Sequence, residues 1–543
     1  MTTIIMKLWQ WLILLFCIVG FVGISIGSAL GESLTFDEIV HRQEGLNHWL
    51  NHTFNIDTFN PPLVREIEVI PILLGSDKLM TSGSQSLKYL PDRLVTVFLA
   101  VFLLILVFIA AKKYFDINCA LLAVFLLAFN PIFLAHSHYL TLDSGTALFI
   151  FLAYLLYLKL IRETNLWNFV YFGMALGFAL AARIVTVPFF ISALPLILIV
   201  EKKNAALTWF WRNKFIIFYT LMITALVIWS AYFFRTDVII ASRSDNNRLS
   251  ARLLTTARNE HNNTLADLIK LAENRKLPLG NYLAMVKNNL VRSGKAENYF
   301  FLGHFYAHNR WYFLPVNLFL KTPLPFWLLL VMGVRVLYGK KEFGKNLLPF
   351  LLPAAVLIAI LSFGNNQPWV RYTVPVFPFL SVIAATGLKE FRGIYRSLAL
   401  AILLIWYALT PLNSYPHFIG FANELAGPKD KLYRIFADSN LDWGQSIPDL
   451  VKYVNKVNPK QISFSYFGRD NGDTYGLSSN FPYGSHIFEN ICRFHEIPRP
   501  SGSGGRMIAI SVTNWYDCGF SKLNEFSQTK ITDVVGDSIF IFY

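Results

Sequence analysis

Apolar runs long enough to cross a bilayer recur along the chain, and they decide its fold class before any motif is considered. A spanning helix needs about 20 apolar residues, because the hydrocarbon core is roughly 30 Å thick and a helix rises about 1.5 Å per residue. About eleven stretches meet that demand. They lie near residues 8 to 30, 94 to 111, 117 to 135, 145 to 161, 167 to 182, 184 to 200, 215 to 234, 314 to 337, 347 to 363, 372 to 388 and 397 to 412. Only 15% of the 543 residues are charged, against the roughly 25% of soluble globular proteins. A soluble enzyme is excluded, and the expected fold is a polytopic α-helical membrane protein. The aromatic content of 16% suits a bilayer and its interfaces.

Charge then orients the spans. The net charge of +14 suggests nucleic-acid binding until its placement is seen: Lys7, Lys112, Lys113, Arg162, Lys202, Lys203, Arg212, Lys214, Lys340, Lys341, Lys345, Lys389, Arg392 and Arg396 fall in one set of connectors. The opposite short connectors carry essentially Arg183 and Arg371. By the positive-inside rule the N-terminus is cytoplasmic, and an odd number of spans puts the C-terminus outside with residues 31 to 90, 136 to 144, 235 to 310 and 364 to 371. The long segment 235 to 310 is basic, with Arg243, Arg248, Arg252, Arg258, Arg275 and Lys276, but loops longer than about 60 residues escape that rule. The first run is too long for a signal-peptide core of about 7 to 15 residues, so it reads as a retained helix. Residues 1 to 412 form the membrane domain, with outer loops 31 to 90 and 235 to 310.

From residue 413 the composition turns polar, and residues 413 to 543 read as a small extracytoplasmic α/β domain. Its helix is expected from Ile447 to Val457, and its strands at Gln461 to Phe467, Met507 to Thr513 and Ser538 to Tyr543; Ser501 to Gly505 is a flexible loop. Between Leu265 and Leu290, apolar residues at helical spacing fit either a surface-lying helix or a solvated one. Cys17 and Cys119 lie in apolar runs as reduced structural thiols, whereas Cys492 and Cys518 can pair as a disulfide if their domain is outside the cytosol.

The residues able to do chemistry fall on the outer side. Asp37 and Glu38 follow the first span, Arg65 follows Asn60-Pro61-Pro62-Leu63, Arg93 opens the second span, and Asp143 sits between the third and fourth. Carboxylates can deprotonate a hydroxyl, and guanidinium groups bind phosphate in a bidentate manner. Each has a plainer reading. Thr35 and Glu38 fit a helix capping box, Asp143 fits a helix cap, and Arg65, Arg93 and Arg371 fit interfacial anchors. Asp438 and Asp442 fit turn and cap residues or acceptor recognition, and Trp443 a buried anchor or a sugar-stacking surface. His136 and His138 flank an outer loop, and His304 and His308 have the i, i+4 spacing of a helical zinc pair without a third ligand at diagnostic spacing. No cofactor is called for, and a divalent metal has only that weak support. Neither a GxxxxGK[ST] loop nor a GxGxxG fingerprint occurs, so an activated donor has to be reachable from the membrane, as a lipid phosphate is.

Phe36-Asp37-Glu38, Asn60-Pro61-Pro62-Leu63-Val64-Arg65 and Asp143 together resemble the protein O-mannosyltransferase and lipid A aminoarabinose transferase group. Trp311 to Pro315, Lys321 to Pro325, Arg371-Tyr372 with Pro375 and Pro378, and Asp438-Ser439-Asn440-Leu441-Asp442-Trp443-Gly444-Gln445 are similar to its bacterial members. The resemblance implies a GT-C-like glycosyltransferase using a polyprenyl-phosphate sugar in a bacterial inner membrane, with a protein, lipid or glycan acceptor. It implies Asp37 as catalytic base, Glu38 as positioning the acceptor or assisting Asp37, Asp143 as support from the second outer loop, and Arg65 and Arg93 on the donor phosphate, with Arg371 grouped beside them. Asn60 and Arg65 stand where the family commonly has His and Lys, which leaves phosphate binding possible and alters donor selectivity. Direct displacement by the acceptor inverts the anomeric carbon. The rival class is a polytopic transporter or lipid flippase, which Lys321 beside Pro323 and Pro325 keeps open.

Overall fold

The computed structural model describes residues 6–543 apart from 55–56, 80–82, 240–274, 294–298, 340–342, 365–368, 392, 478–485, 490–505, 524–525 and 527–529. The Ser501 to Gly505 loop, Cys492, the arginines between 243 and 258 and the stretch from Leu265 to 274 lie outside the described residues. The chain forms two compact units: one of residues 1–43, 68–151 and 296–543, the other of residues 44–67 and 152–295.

Seven described helices are long and apolar enough to span a membrane: Leu8–Gly31 (α1), Gln85–Tyr114 (α2), Leu142–Arg162 (α3), Lys214–Ala231 (α4), Phe343–Phe363 (α5), Val370–Glu390 (α6) and Ile394–Leu412 (α7). The four other expected runs differ for local reasons. The run from 117 breaks after Ala128, where the Asn130 side chain accepts the amides of Ile132 and Phe133 and starts a new helix at Pro131. The runs near 167 and 184 form helices of 17 residues each. The run near 314 folds as Phe313–Leu320 and Leu324–Gly339, bent by 109° at a break that contains Pro323, and brings the number of spans to eight if counted as one. The protein is an integral membrane protein, and α7 fits that setting: Leu398, Ile402, Ile405 and Leu409 are each more than half exposed along one face.

In the first unit, α1 and α2 pack with the short helix Ile117–Ala128, which lies against α6. In the second, Leu166–Ala182 and α4 pack closely through Gly173 and Gly177, a small-xxx-small pair. Thr224 Oγ1 donates to the Gly173 carbonyl at 3.0 Å across that contact.

The polar C-terminal segment contains a five-stranded mixed sheet within the first unit. Its strands are Gln461–Tyr466 (β1), His486–Glu489 (β2), Arg506–Ser511 (β3), Asp533–Val535 (β4) and Ile539–Phe542 (β5), in the order β2-β1-β3-β5-β4. β1 runs parallel to β2 and β3, while β5 is antiparallel to β3 and β4. Strand alternation divides the core. Ile508, Ile510, Phe540 and Phe542 meet Trp515, Phe520 and Phe526 on one face; Met507, Ala509, Ile539 and Ile541 meet Ile447, Leu450 and Val454 of helix Ile447–Val457 on the other. That helix and β1, β3 and β5 stand where the sequence pattern places them. Cys17 and Cys119 are buried and stand outside any disulfide, the Cys119 thiol donating to Asp116 at 3.4 Å, and Cys518 is disulfide-bonded.

Candidate active site

Asp37 lies in the two-residue turn between Thr35 and the helix that starts at Glu38. Its Oδ2 accepts a hydrogen bond from Arg371 Nη1 at 2.8 Å, although the two residues are far apart in sequence. The Asp37 side chain remains 30% exposed, so the pair is open on the carboxylate side. The Arg371 guanidinium is held by rings: it lies 4.3 Å from the Trp443 centroid, 4.9 Å from Trp369 and 5.2 Å from Tyr372. Its Nε is buried with no hydrogen-bond partner among the described residues. Burial opposes ionisation of Asp37, but the charges of Arg371 and His41 outweigh it and hold the carboxyl below its usual range, while the nearby Asp143 pushes the other way. Asp143 is buried in the first turn of α3.

Glu38 and Arg93 are brought together as a buried fork. Arg93 Nε and Nη2 each lie 2.8 Å from a Glu38 carboxylate oxygen. The remaining Arg93 N–H groups donate to the carbonyls of Ala29, Glu32 and Ser33. All five guanidinium donors are thus taken by protein, at a residue with no exposure. The expected phosphate role of Arg93 thus has no free N–H behind it in this structure. Glu38 also accepts the Thr35 amide at 2.7 Å, one half of a capping box, and the Leu140 amide at 3.1 Å. Its geometry is that of a frame around Asp37.

Arg65 belongs to the second unit, on helix Leu63–Glu68. It is buried and paired with Asp57, which also accepts from Asn60 Nδ2 at 3.1 Å. Asp57 and Asn60 line a cavity of about 210 Å³ together with His48, Thr58, Asn281 and Asn288. Beside it, burial pushes the Glu66 carboxyl up to about 8, with Arg65 opposing.

Sequence reasoning missed Glu32, the C-cap of α1. This carboxylate has no exposure; His138 Nε2 lies 2.8 Å from Oε2, and the Tyr139 hydroxyl donates to the same oxygen at 2.6 Å. His417 Nδ1 lies 2.8 Å from Oε1, and its other ring nitrogen meets Asp449 of the helix Ile447–Val457. The one available signal was an acidic residue at the very end of an apolar run, where water is scarce. Lys321 is likewise structural: its ammonium, 4.3 Å from the Phe436 ring, donates to the Ile419 and Asn440 carbonyls. The feature that favoured a transporter is a clamp within the protein.

His304 lies on a short strand, His304–Tyr306, and His308 follows it, so the pair does not share a helix face. Among the described residues no three His, Cys, Asp or Glu side chains converge to hold a metal ion.

The family model described as dolichyl-phosphate-mannose-protein mannosyltransferase matches residues 9–241, which include Asp37, Glu38, Arg65, Arg93 and Asp143. No curated protein matches the chain. Among solved structures, ArnT from Cupriavidus metallidurans bound to undecaprenyl phosphate is similar over 99% of this chain and 98% of that one, at 11% identity and a TM-score of 0.46. An Archaeoglobus fulgidus oligosaccharyltransferase is similar over 90% of this chain and 65% of that one, at 15% identity and a TM-score of 0.44. The S. cerevisiae protein O-mannosyltransferase Pmt1-Pmt2 complex bound to the sugar donor is similar over 42% of this chain and 33% of that one, at 19% identity and a TM-score of 0.30.

Proposed function

We propose that this membrane glycosyltransferase moves one sugar from a polyprenyl-phosphate carrier to an acceptor outside the cytosol, with inversion at the anomeric carbon. The donor class rests on the family match over residues 9–241. The chemistry rests on one observation, the contact between the partly exposed Asp37 carboxylate and Arg371. As the sugar–phosphate bond breaks, negative charge grows on the leaving phosphate, so a fixed guanidinium stabilises the transition state more than the ground state. The Arg371 guanidinium is held between aromatic faces, so it needs little reorganisation to meet that charge. Arg65 remains a second candidate for donor phosphate, in its own unit.

Asp37 takes the proton of the attacking acceptor. A carboxylate held below its usual range is a weak base, but a hydroxyl already bonding to the anomeric carbon is a strong acid, so a late proton transfer suits it. Asp143 supports the charge balance, and Glu38 with Arg93 keeps the turn in place. The site faces the extracytoplasmic side of a bacterial inner membrane, with the N-terminus cytoplasmic.

The test uses purified protein in liposomes with radiolabelled polyprenyl-phosphate mannose and membranes from source cells lacking the protein as acceptor. Label moves to acceptor with the wild type, and Asp37→Asn slows it by about 10²- to 10⁴-fold. Transfer at the wild-type rate by Asp37→Asn sinks the assignment of the base.

A further inference from the structure

Asp37 and Arg371 come from opposite ends of the membrane region, and the same short segment touches both. The segment is Asp438 to Gln445, in the polar C-terminal part of the chain. On the Asp37 side, the Trp443 carbonyl accepts the Phe36 amide and the Gln445 carbonyl accepts the Ser33 amide, each at 2.9 Å. The Ser33 hydroxyl donates to the Gly444 carbonyl at 2.7 Å. On the Arg371 side, Asn440 Oδ1 accepts the Val370 amide at 3.0 Å, one residue before the arginine. The Trp443 ring then lies under the guanidinium at 4.3 Å.

The segment is itself rigid. Gln445 Oε1 accepts the Trp443 amide at 2.7 Å, and Gln445 Nε2 donates to the Leu441 carbonyl at 2.9 Å. Asp442 accepts the Thr513 amide at 2.8 Å, which ties the segment to the helix Val512–Asp517 that follows β3. Gly444 adopts φ +92°, and a Cβ there would lie 2.7 Å from the Phe467 carbonyl, so only glycine lets the chain turn from the ring to the second backbone contact. Trp443 is 2% exposed and packs edge-on against Tyr139 at 6.0 Å. That burial removes the option of a sugar-stacking surface.

We infer that Trp443 is a positioning residue for the transfer reaction: its carbonyl fixes the turn that carries Asp37 and its indole face fixes Arg371, so that one residue sets the spacing of the pair. The inference rests on the reading of Asp37 and Arg371 given above. A positional error of about 1 Å can cost about 10²-fold in rate without weakening donor binding. Trp443→Phe keeps both the carbonyl and an aromatic face, whereas Trp443→Leu keeps only the first.

The experiment measures kcat and KM for polyprenyl-phosphate mannose in Trp443→Leu, Trp443→Phe, Asp37→Asn and the double variant Asp37→Asn with Trp443→Leu. The expected result is a fall in kcat of about 10- to 10²-fold in Trp443→Leu with KM within about twofold, and recovery to within about threefold in Trp443→Phe. The leucine substitution has little further effect in the Asp37→Asn background, because the group it positions is gone. Should Trp443→Leu fail to fold, Asn440→Ser frees the Val370 amide instead and is expected to show the same fall in kcat. Equal losses in the leucine and phenylalanine variants, or a rise in KM alone, overturn the inference. An Asp37→Asn protein with full activity defeats the catalytic assignment, whereas an impaired one to which the leucine effect simply adds defeats the positioning role.

Discussion

The Nδ1 atom of His417 lies 2.8 Å from Oε1 of Glu32, a carboxylate wholly removed from solvent. Burial opposes the charge on His417, yet Asp449 and Glu32 together raise its pKa from 6.5 to about 9. Burial likewise opposes ionisation of Glu32, but His138 and His417 bring it from 4.5 down to about 2. The raised histidine contributes stability that is complete below about pH 6.5 and is lost as the pH climbs through 9; the depressed carboxylate contributes stability that is complete above about pH 4.5 and is lost as the pH falls through 2. Thermal midpoints are therefore expected to decline between pH 6.5 and 9, and His417→Gln should flatten part of that decline. Asp438 and Asp442, each pushed up to about 7 by burial, also titrate there, so the informative quantity is the difference between the two proteins. Parallel curves over that range would falsify the role of the pair.

Arg93 and Glu38 should behave as structure rather than as donor ligands. Arg93→Met leaves a buried carboxylate without its cation, a change that costs about 3–5 kcal/mol in comparable sites. Adding Glu38→Gln removes the stranded charge and should recover part of that loss. Denaturation of the detergent-solubilised proteins measures both; a stable Arg93→Met protein with selectively weakened donor binding would restore the phosphate role.

Arg371→Ala should give the reverse pattern. Removing a single preorganised donor to a developing anion lowers kcat by about 10²- to 10³-fold. Asp37, the carboxylate left behind, is 30% exposed, unlike the fully buried Glu38 that Arg93→Met strands, so the thermal midpoint should move less than in Arg93→Met. Transfer assays alongside thermal scans settle the contrast, and intact turnover in Arg371→Ala counts against it.

In the second unit, a Cβ at Gly177 would lie 2.6 Å from the Cβ of Val227 on α4. Gly177→Leu is expected to push the two helices apart and destabilise the protein by about 1–3 kcal/mol. An unchanged unfolding midpoint would show that this helix contact adjusts freely.

These contrasts also mark what the residues reveal in one dimension. Seven of the expected spans were legible because hydropathy acts locally, and the helix and three strands of the C-terminal segment because periodicity does too. Asp37 was legible as an acidic residue just past a span. The different surroundings of Arg93 and Arg371 were not, since both read as arginines at span ends and only the partners that fold against them distinguish one with no spare N–H from one whose Nε has no partner among the described residues. Glu32, His138 and His417 give no spacing signal at all, because their contact is made by three segments distant in the chain.

The distance between Asp37 and its carboxy-terminal support has a temporal meaning as well. About 400 positions separate Asp37 from Trp443, and at about 5–20 residues per second the ribosome needs about 20–80 s to travel from one to the other. Throughout that interval a nascent chain holds Asp37 without the Trp443 carbonyl that accepts the neighbouring Phe36 amide. The pair of Asp37 and Arg371 can therefore be set by Trp443 only in the last quarter of translation.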